Sequence, residues 1–304
     1  MAKDRFPSPL AALFAPAEVN RSSAGGLLSL PRRVIDGTRN RFQETRAKLA
    51  RPSVAQRIEA HDAHGFTVSF AHTPAQVREA QRLRYKVFAE EMGAGLAHVV
   101  DEEGRRIDQD MFDRFCDHLI VRDNKTQQVI GTYRILPPHA AKKIGCYYSE
   151  SEFFLTRLAH LRHNMVELGR SCVHQDYRSG AVIMLLWKGI AEYMRAGGYE
   201  HLIGCASISM RDGGHQAASL YRALEGKHLA PAEYQIFPRL ALPIEKLDTS
   251  LEVEAPPLVK GYLRVGAMIC GAPAWDPDFN SADFLMLLSL SQMNPRYRKH
   301  FFGD

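Results

Sequence analysis

Residues 166–198, VELGRSCVHQDYRSGAVIMLLWKGIAEYMRAGG, constrain the fold more than any other stretch, because they dictate a strand, a tight turn and a helix in immediate succession. The strand, 166–173, is a small and apolar run interrupted by Glu167 and Arg170, and burying such charges is costly unless something uses them. The turn, 174–181, carries Gln175, Arg178, Ser179 and Gly180. Ile183, Leu186, Trp187, Ile190 and Met194 then recur at helical spacing, with Lys188, Glu192 and Arg195 on the other face. A helix N-terminus behind a Ser, Gly and Arg turn offers free N–H groups and a positive dipole end, which suits a phosphate.

Other elements group around this unit. Residues 66–71 alternate as a strand, Thr73 is an N-cap with Pro74 at the first helical position, and the helix extends to about Met92. A long acidic loop reaches Arg114, and loops of that length in a compact domain are usually functional or disordered. Residues 117–122 and 128–136 form a hairpin that Pro137 and Pro138 stop. The spacing predicts mainly helix over 139–165, a strand over 201–209, a short helix over 214–224 and strands over 261–270 and 284–290. The order up to residue 224 is β-α-β-β-α-β-α-β-α.

Residues 1–64 are a basic N-terminal arm, with 11 Lys and Arg against 6 Asp and Glu in residues 1–65 and 28 against 28 in the rest. Residues 31–60 fit either an amphipathic helix on an anionic membrane surface or an ordinary packed helix. A nucleic-acid partner is not expected, since no dense basic stripe carries interleaved aromatics. No apolar run approaches the roughly 20 residues of a membrane span, and no secretory leader is evident, so the expected location is cytoplasmic, with peripheral attachment on the inner face of the membrane as an option. Five widely spaced cysteines without a CxxC pair, and thirteen histidines without a ligand pair, lead us to expect free thiols and no metal.

The order of elements, with its phosphate-suited turn after the fourth strand, resembles the GNAT N-acyltransferase fold. That is an α/β (α+β) architecture, a central mixed twisted sheet flanked by helices, expected over residues 65–304. Arg84 and Phe88 in RYKVF, Asp110 and Asp113 in DMFD, Arg134 in GTYRILP, and Glu167 and Arg170 in ELGR are similar to the signature of acyl-homoserine-lactone autoinducer synthases. Ala94 stands where those enzymes have tryptophan, and they lack the C-terminal portion found here. A closer resemblance, over residues 66–302, is to the ornithine lipid N-acyltransferase family. RYKVFAEEMGA, DHLIVRD, VELGRSCVHQDYRSG, PPLVKGYLRVGAMICGAPAWDPDFNSADF and SQMNPRYRKHF carry it, in order.

The resemblance implies transfer of a 3-hydroxyacyl group from acyl carrier protein to the α-amine of L-ornithine, giving a lyso-ornithine lipid. The carrier's phosphopantetheine thioester is then a co-substrate, and no cofactor is bound. Two alternatives stay open: another amino acid as acceptor, or a non-catalytic membrane-associated binding protein of the same fold. Amide formation needs a base near the attacking nitrogen, and Glu167 is the candidate, with a structural pairing to Arg170 or Arg134 as the competing role. An arginine nearby would lower its pKa. Arg84 or Arg134 would fork onto the acceptor carboxylate and Asp110 or Asp113 hold its ammonium, unless these charges only form an ion-pair network. Arg178 stands where coenzyme A enzymes of this fold have glycine, which fits the single phosphate of a carrier-bound arm. Lys188 and Arg195 would meet the acidic carrier or simply form a solvated face.

Overall fold

The computed structural model describes residues 52–97 and 99–303. The expectations for the basic arm fall on 1–51 and lie outside the described residues; of 52–60, only a 3₁₀ turn at Ala55–Arg57 is regular. One compact unit starts at Val54, upstream of the expected start at 65. Among the described residues no helix is long and apolar enough to cross a membrane.

A nine-stranded mixed sheet organises the unit: β1 (His61–Ala63), β2 (Phe66–Phe70), β3 (Asp117–Asp123), β4 (Val129–Leu136), β5 (Met165–Val173), β6 (His201–Ser209), β7 (Met268–Ile269), β8 (Ala274–Asp276) and β9 (Ser281–Ser289). The order is β1-β2-β3-β4-β5-β6-β9-β7, with β8 also on β9. All neighbours are antiparallel except β5 and β6. Alternation sets the layers, since successive side chains of a strand face opposite ways. Leu119 and Val121 of β3 join the core under α3 (Ala181–Gly197), whereas Ile120 packs with Ala80 and Leu83 of α1 (Pro74–Tyr85). On β9, Phe284, Met286 and Leu288 enter that first core, while Leu285 and Leu287 face a second one built with Phe153, Leu155 and Leu158.

Helix α3 lies close on the sheet because glycines face it on both sides. A Cβ on Gly131 would come within 2.5 Å of Val182 Cγ1, and one on Gly189 within 2.8 Å of Leu119 Cδ1. Helix α1 starts as its sequence dictates: Thr73 Oγ1 accepts from the Gln76 N–H, the Gln76 side chain accepts from the Thr73 N–H, and Pro74 opens the first turn. It then widens into a π-helical run, Lys86–Glu91, that carries Phe88.

Two expectations are corrected. Residues 139–165 are not mainly α-helix: after α2 (Pro138–Ile144) come 3₁₀ segments at Tyr148–Ser151 and Leu155–Asn164, with Phe153–Phe154 paired to Phe237–Pro238 between them. Leu155, Leu158 and Leu161 are buried at strict intervals of three, the repeat of a 3₁₀ turn. The expected strand over 261–270 is helix as far as Val265 and strand only at Met268–Ile269, and α4 (His215–His228) is followed by α5 (Pro257–Val265) and α6 (Pro295–Phe302). Pro256 and Pro257 start α5, Val259 and Val265 are its buried face, and Gly266 ends it with φ of 103°.

The parallel pair β5 and β6 is joined over only three residues, Met165 to His201, Val166 to Leu202 and Glu167 to Ile203, before the strands part. At the fork, a Cβ on Gly204 would sit 2.4 Å from the Leu168 carbonyl oxygen, a contact that only glycine permits. The other edge of β5 stays on β4, with a register shift at Thr132–Arg134. Opposite that shift Arg170 adopts φ of 49°, rare for a non-glycine residue.

Candidate active site

Where β5 and β6 part, a cavity of about 860 Å³ opens between them. The side chain of Glu167, the last residue paired before the fork, reaches its wall. Its carboxylate takes three donors: Oε2 accepts from the Tyr148 N–H at 2.6 Å, and Oε1 from the Ser149 N–H at 2.7 Å and the Ser149 hydroxyl at 2.5 Å. Burial pushes its pKa above the usual range, against the opposing pull of the Ser149 and Tyr148 donors and of Arg134. The lowered value expected from a nearby arginine is therefore corrected. No arginine pairs directly with this carboxylate among the described residues, so desolvation dominates.

The other signature charges form one network. Arg84 is wholly buried; its Nε donates to Asp108 Oδ2 at 2.7 Å, Nη1 to Asp113 Oδ1 at 2.6 Å, and Nη2 to the Asp108 carbonyl at 2.7 Å. Arg134 Nη1 donates to both oxygens of Asp110 at 2.7 Å, and Arg170 reaches Asp108 at 3.1 Å and Asp110 at 3.3 Å. Burial opposes the charge on Asp113, yet Arg84 and Arg134 hold its carboxyl well below the usual range. Arg134, Arg170 and Phe88 line the cavity; Arg84, Asp110 and Asp113 do not. That removes the geometric support for Arg84 as a carboxylate fork and for Asp110 or Asp113 as the ammonium site, because arginines already occupy both carboxylates. Asp108, the sixth member of this network, escaped the sequence reading altogether, since it lies outside the DMFD motif.

The remaining predicted residues fall at the mouth. Arg178 and Gly180 line the cavity, and Arg178 pairs with Glu91 at 2.5 Å. Gly180 is the N-cap of α3 with φ of 98° and supplies no side-chain cap, so the first N–H groups of the helix have no side-chain cap. Gln175 and Ser179 are exposed beside it. Lys188, 2.6 Å from His61 Nε2, and the exposed Arg195 lie further along the helix, off the cavity wall. Trp187 is half-buried and lines the cavity, while Trp275 is 40% exposed and does not.

Sequence reasoning missed Tyr148 and Ser149, the residues that hold Glu167. No motif marks them; the one available signal was a Tyr-Tyr-Ser run next to a 3₁₀-spaced segment. Arg170 lies over the Tyr148 and Phe279 rings, 4.9 and 4.7 Å from their centres. Chemically, a buried carboxylate with a raised pKa at the end of a large, mostly apolar cavity can take a proton from an amine that attacks an acyl group lodged there.

Residues 83–188 match a family model described as an acetyltransferase (GNAT) domain. The chain is 34% identical over 250 residues to the L-ornithine N(alpha)-acyltransferase of Rhodobacter capsulatus, covering 78% of this chain and 94% of that one. It is 35% identical over 259 residues to the enzyme of the same name from Brucella abortus, covering 78% and 89%. Among solved structures it is similar to the AHL synthase LasI, with a TM-score of 0.44 and 13% identity over 81% of this chain and 96% of that one.

Proposed function

Because the chain belongs to the family of L-ornithine N(alpha)-acyltransferases, we propose that it moves a 3-hydroxyacyl group from the phosphopantetheine thioester of acyl carrier protein to the α-amine of L-ornithine. The observation that carries this reading is Glu167, held by three donors at the wall of the cavity where β5 and β6 part. The amine attacks the thioester carbonyl, Glu167 accepts the proton directly or through one water, and the carbon–sulfur bond breaks, the carrier sulfur taking up that proton and leaving as the thiol. Arg134 faces the acceptor's carboxylate from the cavity wall. Arg170 is a positioning residue, tying the bulge beside Glu167 to Asp108 and Asp110. Arg84 and Asp113 hold the same frame from behind.

For the donor, the uncapped N-terminus of α3 with Gln175, Arg178, Ser179 and Gly180 suits the single phosphate of the carrier arm. Lys188 and Arg195 extend a basic face for the acidic carrier. Reversing both to Glu should weaken carrier binding and flatten its salt dependence, since fewer charge pairs remain to be screened. Unchanged affinity at low salt would reject this face. A lipid product and the basic N-terminal arm support peripheral attachment to an anionic membrane surface. The reading is tested with purified full-length protein, 3-hydroxyacyl carrier protein and a panel of amino acids, with products identified by mass spectrometry. Acyl-ornithine is the expected product, and its absence under saturating substrates would overturn the assignment.

A further inference from the structure

A second set of acids, Glu152, Asp276 and Asp283, is left unused by the chemistry above. Glu152 follows the 3₁₀ turn that holds Glu167; Asp276 ends β8; Asp283 lies on β9, opposite Ser207 of β6. One ligating atom from each of Glu152, Cys205 and Asp283 lies within 4.8 Å of the others. Asp283 is buried and accepts from the Ser281 hydroxyl at 3.0 Å, and Asp276 accepts from the N–H groups of Asp278 and Phe279 at 2.8 and 3.2 Å. Both oxygens of Glu152 are closed off from solvent and meet no donor. Asp276, Asp283 and Cys205 form part of the cavity wall, with Glu152 beside them.

The contrast with the first network is one of charge. There, Asp108, Asp110 and Asp113 face Arg84, Arg134 and Arg170. Here, no ion pair reaches any of the three acids among the described residues. Burial first, and then Asp283, pushes the Glu152 carboxyl well above the usual range, and burial raises Asp276 as well. Such a group keeps protons for want of a cation, and a cation arriving from the cavity would take their place. The cluster also connects to the reacting centre: Ser149 Oγ, which donates to Glu167, lies 3.4 Å from Cys205 Sγ. A metal ion is the competing occupant, since Glu152, Cys205 and Asp283 bring one ligating atom each to the same spot.

We propose that Glu152, Asp276 and Asp283 receive the side-chain ammonium of the acceptor, and so select a diamino acid over a neutral one whose α-amine would reach Glu167 equally well. The choice of ornithine rests on the functional reading above; the cation pocket does not. Charge-assisted bonds to these carboxylates would fix the far end of the acceptor, and the short methylene chain between its nitrogens would set the α-amine at the base.

Full-length wild type, Asp283→Asn and Glu152→Gln are compared by thermal shift and calorimetry with L-ornithine and with L-norvaline, which lacks only the side-chain nitrogen. Acylation of both amino acids is followed in parallel. Wild type should be stabilised by ornithine more than by norvaline, and each variant should erase that difference. The ornithine-to-norvaline ratio of kcat/KM should fall on the order of a hundredfold, while KM for the acyl donor stays put. A ratio preserved to within about twofold in both variants would overturn the pocket, as would stoichiometric Mn²⁺ or Zn²⁺ binding that Asp283→Asn abolishes without loss of selectivity. Ornithine binding without any acyl-ornithine would instead sink the functional reading and leave the pocket standing. Glu152→Gln should not lower the melting temperature of the ligand-free protein, because it removes a carboxyl that lacks a partner, and Asp283→Asn should lower it little, because the amide oxygen still accepts from the Ser281 hydroxyl.

Discussion

Glu167→Gln should lower kcat by about 10²–10⁴-fold, the usual worth of a positioned general base, while leaving the melting temperature only modestly reduced. The amide keeps one oxygen for the two donors of Ser149, but its NH₂ then faces the Tyr148 N–H, and that lost pairing costs roughly 1–3 kcal/mol. The pH profile separates the two effects. Glu167 acts as a base only when ionised, and burial raises its pKa, so wild-type kcat/KM should climb with pH through a limb above the ordinary Glu range. The variant should lack that limb. The same shift runs against stability: the folded state holds the proton that the unfolded chain has released, so the contribution of Glu167 to folding falls as pH rises between the two values. Near wild-type turnover in Glu167→Gln would remove the base from the mechanism.

Arg84→Ala should destabilise the fold by about 3–5 kcal/mol, because it strips the guanidinium from the buried Asp108 and Asp113. For a unit of this size that corresponds to roughly 2–4 °C in melting temperature per kcal/mol. Arg84→Lys should recover only part of the loss, since a point charge cannot occupy both carboxylates as the fork does. The lowered carboxyl of Asp113 adds stability that is present above the unfolded value of about 3.9 and fades as pH falls through the lower folded one. Arg84→Ala should flatten this acid dependence. A raised KM for ornithine in Arg84→Lys, with melting temperature and acid dependence unchanged, would return Arg84 to the substrate.

The sequence disclosed elements whose periodicity is local. The strand, turn and helix around Glu167, the capped start at Thr73 and the hairpin at Asp117–Asp123 stand close to where alternation and capping placed them. It misled where one residue class serves two structures: the apolar run before Cys270 reads as a strand until Pro256, Pro257 and Gly266 are weighed as helix limits. The signature charges were legible as a group, but their roles were not, because burial decides between substrate contact and internal pairing. Glu152 and Asp283 carried no signal at all. They meet only through the pairing of β6 with β9 and the turn at Tyr148–Ser151, partners far apart along the chain.

The left-handed backbone at Arg170 also bears on how this protein tolerates change. Glycine would relax that position by an amount on the order of 1–3 kcal/mol, yet it would forfeit contacts with Asp108, Asp110, Tyr148 and Phe279, which come from three separate stretches of chain. Those residues therefore behave as a single heritable unit. A drift at one that is harmless in one background becomes damaging in another, and a designer who recombines fragments of related enzymes does best to keep all five from the same parent.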